Sequence, residues 1–182
     1  MDTELSPEMA SQVLRMLTGG GSLDSINTPL ALRLIPLAQE LEDDDLVEQL
    51  LNHASKVAST DEERGWARFE ALKVVDASLE SYTRLAEEAE AIEGGQSLTA
   101  AVHHYVALIY LADGRLDEAR ATAQRALQLR KVTADKEGMS YGMALLMNIA
   151  KRQYDEHTAI SVGTERLELL IACLLYTSPS PR

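Results

Sequence analysis

A single cysteine, Cys173, stands in 182 residues, so no internal disulfide can form. Aromatic side chains make up 4% of the chain, with one tryptophan, Trp66, and one phenylalanine, Phe69. Proline is rare away from the ends, while Leu, Ala and Glu dominate, a composition that favours helices throughout. Strand-like alternation is nearly absent. The longest apolar run, Leu169–Tyr176, is far too short to span a bilayer, and the opening MDTELSPEMASQ lacks the charged-then-apolar pattern of a secretion signal. Chemistry-bearing motifs are missing as well. Gly19-Gly20-Gly21 precedes no Gly-Lys-Ser/Thr, and His53, His103, His104 and His157 stand in no metal-binding spacing. Neither CxxC nor a nucleophile elbow occurs. No catalytic residue, cofactor or metal is therefore expected, and a cytoplasmic location is the default.

Basic charge is also scarce. The formal net charge of -12 argues against nucleic acid as the main partner. The imbalance is confined to one half. Residues 1–93 hold 20 acidic and 7 basic side chains, whereas residues 94–182 hold 9 and 10. A solvated acidic surface is the plain reading, and a face for a basic partner segment the sharper one.

What is present is helical periodicity. Ser6-Pro7-Glu8 reads as a helix start, giving an N-terminal helix over 1–18 and a Gly/Ser linker over 19–27. Thr28-Pro29 opens a helix with Leu30, Leu34, Leu37, Ala38 and Leu41, which Pro36 is expected to kink or split. The run Glu42–Asp45 marks a turn and the start of the next helix rather than a metal site, because adjacent helical residues do not converge. Thr60 and Glu63 have capping-box spacing, and Trp66 and Phe69 beyond them read as core anchors. Further helices follow a break at Asp76–Ser78, Gly94-Gly95 and a polar link over 130–138. Met139, Met143 and Met147 recur at steps of four and read as core filling.

The most informative stretch is Gly114–Leu129. Gly114 ends one apolar segment, Asp117 and Glu118 suit the first turn of the next, and Leu116, Ala119, Ala123, Ala126 and Leu127 form one helical face. Leu98, Val102, Val106, Ile109 and Tyr110 give the preceding helix its face. First helices of successive pairs begin near Thr28, Asp61, Ser97 and Asp135, at spacings of 33, 36 and 38 residues. On Val106, Ala107, Tyr110, Gly114, Ala119, Ala126 and Leu127, the pair at 97–129 resembles the tetratricopeptide repeat. His103 departs from the usual aromatic, and Ala123 stands where a larger residue is common. The pair at 135–170 fits less closely, with Tyr141, Tyr154-Asp155-Glu156 and Leu167-Glu168-Leu169 but no turn glycine. The pairs at 28–58 and 61–92 fit in length and periodicity only.

The resemblance implies an all-α, right-handed superhelix of antiparallel helix pairs over 28–172. It further implies a non-catalytic scaffold that grips a peptide or protein segment on a concave face lined by first helices. His104, Leu108 and Leu111 would line that groove in the best-matching pair. A sensor array cut from a larger regulator, or a compact helical enzyme, are the alternatives. Residues 173–182, CLLYTSPSPR, depart from the pattern and resemble sequencing-adapter read-through, so the helix near 158–172 is expected to show an uncovered apolar side.

Overall fold

A computed structural model describes residues 12–177, save 14, 18 and 20, with side chains as far as Cys173. Eight helices with defined bounds follow one another: α1 (Thr28–Glu40), α2 (Asp44–Val57), α3 (Asp61–Val74), α4 (Leu79–Glu90), α5 (Gln96–Ala112), α6 (Leu116–Val132), α7 (Lys136–Arg152) and α8 (Glu156–Thr177). No strand occurs among the described residues. Residues 12, 13 and 15–17 are helical too, but the expected start at Ser6-Pro7-Glu8 and the end of the tail, 178–182, lie outside the described residues.

Local chemistry explains the helix starts. Asn27 and Asp43 accept the backbone N–H of Leu30 and Leu46 at 3.0 Å each. Thr60 accepts from Glu63 N–H while the Glu63 carboxylate takes Thr60 N–H, a complete capping box. Five helix ends close alike. Glu42, Asp76, Gly114, Ala134 and Tyr154 take φ of +54°, +47°, +75°, +55° and +58°. The residue after each returns its N–H five positions back: Asp43 to Ala38, Ala77 to Leu72, Arg115 to Tyr110, Asp135 to Arg130 and Asp155 to Ala150. This left-handed closure satisfies carbonyls the helix leaves free. Gly114 alone among the five meets it without strain.

The chain divides into two compact units, 1–77 and 78–182, so the division falls inside the pair expected at 61–92. In the first unit α1 and α2 form a hairpin, and α3 packs on both. Ala31, Leu34, Ile35, Ala38, Leu50 and Ala54 are all completely buried there. Each large side chain so buried contributes roughly 1.5–3 kcal/mol. Thr28 Oγ1 donates to the Ala54 carbonyl, and His53 Nε2 donates to that of Ile26, tying the start of α1 to the end of α2. Pro36 does not split α1; it sits inside the helix on an exposed position.

In the second unit each helix from α4 to α8 packs on the next, and α5 also reaches α7. Helices α5, α6 and α7 are 17 residues each, so the starts of α5 to α8 fall at a constant 20-residue step. The polar link expected over 130–138 shrinks to Thr133–Asp135, because Asp135 caps α7 through Gly138 N–H at 2.8 Å. Charged side chains stitch neighbours together: Arg120 reaches Asp155 at 2.7 Å, and Arg152 donates to the Leu111 carbonyl at 2.7 Å. Arg120 and the Thr158 amide hold the Asp155 carboxyl well below the usual carboxylate range. Past its buried Ala159, α8 leaves Ile160, Leu167, Leu170 and Ile171 exposed, the uncovered apolar side expected there. The helix also runs on to Thr177 instead of giving way to a tail at 173.

Candidate functional site

The residues expected to define the repeat sit as close packing demands. Val106, Ala107 and Leu127 are buried, and Ala119, Ala123 and Ala126 have no exposed surface. Ala123, which stands where a larger residue is common, is covered as completely as the other two. Tyr110 packs on the same core, with the Arg115 guanidinium 4.3 Å from its ring centre.

The expected groove residues do not share one open face. Leu111 is buried in a cluster with Ala107, Met143 and Leu146, so α7 covers it. His104 is half-buried beside Arg130, whose Nη1 lies 3.4 Å from His104 Nδ1 and donates to the Gly138 carbonyl at 2.6 Å. Burial, and then the Arg130 charge, push the His104 imidazole down to about 4, so it is neutral at pH 7 and accepts from the guanidinium. A side chain at Gly138 would collide with Asp135 and Arg130. Of the three groove residues only Leu108 remains exposed. The reason is rotational: His104, Ala107 and Leu111 share the side of α5 that the helix two steps on comes to cover.

A cleft of about 690 Å³ lies instead in the first unit, between α1 and α3. Thr28, Pro29, Leu32 and Arg33 form one wall, and Thr60, Glu62, Glu63, Trp66 and Glu70 the other. That volume is in the range of small-ligand and peptide side-chain sites. On α3, Glu62 and Glu70 stand one turn either side of Trp66, so carboxylates flank the indole along a single face. Trp66 is half-buried and meets Phe69 edge-on, with ring centres 6.0 Å apart. Phe69 is the core anchor expected of both; Trp66 lines the cleft. Glu63 is committed to the cap, accepting from Ser59 N–H, Ser59 Oγ and Thr60 N–H, and these bonds lower its pKa. Glu70 is committed to Lys73 at 2.6 Å. Glu62 and Arg33 make no hydrogen bond or ion pair among the described residues. The signal for this site was present in the sequence as the lone tryptophan between glutamates at steps of four, but nothing local shows that α1 stands open across from it.

A smaller cavity of about 260 Å³ in the second unit is lined by Thr83, Glu87, Glu90, His103 and Thr122, among others. Its central charge is already matched, since Glu90 meets His103 at 3.5 Å and Arg125 at 3.3 Å. Among the described residues no three His, Cys, Asp or Glu side chains converge, and no helix is long and apolar enough to cross a membrane.

No protein-family model matches the chain, and no curated protein matches it. Its fold is similar to that in the crystal structure of BtubC (BKLC) from P. vanneervenii, with a TM-score of 0.60. The match covers 96% of this chain and 75% of that one at 17% sequence identity, which is a likeness of fold alone.

Proposed function

We propose that this protein is a non-catalytic, tetratricopeptide-like scaffold that binds a protein or peptide segment on a face lined by the first helices of its pairs. The cleft between α1 and α3 carries this reading, since these are the first helices of the pairs expected at 28–58 and 61–92. The cleft offers apolar wall, an aromatic ring and unpaired charge together, which is what recognition of a side chain requires. The constant 20-residue step of α5–α8 adds support, because stacked hairpins of equal length are how helical repeats build extended binding surfaces. A cytoplasmic location belongs to the same reading and fits a chain with one cysteine.

The test is a photo-crosslinking amino acid placed at Leu32 in the full chain expressed in its source cells, with Ser161 as a surface control. A discrete protein adduct from Leu32 and not from Ser161 is expected. Adducts that are equal at both positions, or absent at Leu32, overturn the proposal.

A further inference from the structure

We propose that the α1–α3 cleft selects a segment carrying a lysine or arginine beside an apolar residue, with the cation held between Trp66 and Glu62. The inference rests on the scaffold reading above and names what the cleft prefers. The cleft holds three carboxylates against one guanidinium, but two of the three are spent within the fold: Glu63 closes the helix cap, and Glu70 pairs with Lys73. Glu62 remains, half-buried and without a partner among the described residues. A carboxylate so placed gains most from a cation brought into the same low-dielectric wall. The helix N-terminus at α3 does not reverse this preference. Its partial charge is about half an elementary charge against the formal full charge of the Glu62 carboxylate, and the Glu63 amide there is already met by Thr60.

Trp66 supplies the other half of the recognition. Glu62 precedes it by one turn on the same face, so a cation over the indole lies within reach of a carboxylate, and the ring quadrupole and the ion pair add. Pro29 and Leu32 across the cleft leave an apolar wall for the neighbouring side chain of the ligand. Arg33, exposed and likewise unpartnered among the described residues, is placed to take a backbone carbonyl of an extended segment. The charge of the first unit agrees in sign, since residues 21–77 carry 12 acidic and 5 basic side chains.

The chain's single tryptophan makes the cleft its own reporter. The experiment pans a random-peptide phage library on the full chain, synthesises the enriched peptides and titrates them while following Trp66 fluorescence. Peptides with Lys or Arg next to an apolar residue are expected. Affinity should fall about tenfold in Glu62→Lys and several-fold in Glu62→Gln, and weaken as salt rises. Both variants alter a helix surface position, and far-UV circular dichroism checks that they fold. Enriched peptides without a basic residue, or peptides bound equally well by Glu62→Lys, overturn the cleft's preference. If the Leu32 crosslink to a partner still forms in Glu62→Lys, the scaffold reading stands while this one falls. If that crosslink is absent from the unaltered chain, the scaffold reading fails first.

Discussion

At the residue scale, small side chains and one partly buried pair are the informative features of the second unit. Ala119 and Ala126 have no exposed surface on the face of α6 where its neighbours approach. Ala119→Leu or Ala126→Leu should overpack that contact and cost about 1–3 kcal/mol in urea unfolding. Ala123 is equally buried, so Ala123→Leu is expected to cost as much rather than less. The His104–Arg130 contact gives a pH dependence. In the unfolded chain an imidazole titrates near 6.5, whereas in the fold burial holds His104 down to about 4. The unfolded state therefore takes up the proton first as the solution is acidified. Stability should be fully present above pH 6.5 and fall between there and pH 4. Allowing for the part of the ring that water still reaches, the loss is on the order of 1–2 kcal/mol. Unfolding midpoints at pH 7 and pH 5 measure it, and His104→Gln should show a smaller drop between them.

At the element scale, turns and the last helix are the informative features. Ala134 and Tyr154 hold left-handed backbone, at φ of +55° and +58°, where glycine would be unstrained. Both are exposed, so their side chains contribute little packing. A left-handed residue costs roughly 1–2 kcal/mol, and a glycine loses about half to one of these in unfolded-state entropy. Ala134→Gly is accordingly expected to raise stability by about 0.5–1 kcal/mol, read as a higher melting temperature. Helix α8 behaves oppositely, with its apolar stripe in water. Leu167→Glu should change unfolding free energy by less than about 0.5 kcal/mol, since Leu167 is 58% exposed. A large loss of stability in that variant would show the stripe to be covered.

At the scale of the whole molecule, two units carry separate core clusters. Ile35 lies in the cluster of the first unit and Ile149 in that of the second, and both are completely buried. Ile35→Val and Ile149→Val should each cost about 0.5–1.5 kcal/mol. Because the two residues belong to different core clusters, the double variant should match the sum within about 0.5 kcal/mol by denaturant titration. The first unit, which contains the cleft, has an acidic excess of its own, 12 acidic against 5 basic side chains over residues 21–77, so electrostatic assistance to binding acts where the proposed site is.

The sequence alone determined whatever depends on residues a few positions apart. Helix periods, the Thr60–Glu63 box, the helix start within the acidic run 42–45, the turn at Gly114 and the alanine face of α6 are set by contacts within one turn. Those features were legible in full. Only the tertiary structure decided what covers each face. Leu108 and Leu111 look alike in sequence, yet α7 buries one and leaves the other exposed. Trp66 and Phe69 look alike as well, but one enters the core and the other lines the cleft. Asp155 follows a turn that closes locally, but which side chain holds its carboxylate, Arg120 of α6, is decided by how that helix stands against α8. Each of these outcomes turns on how one helix is rotated against another. That rotation is fixed by the sum of packing contacts from distant parts of the chain, and no short window of sequence contains it.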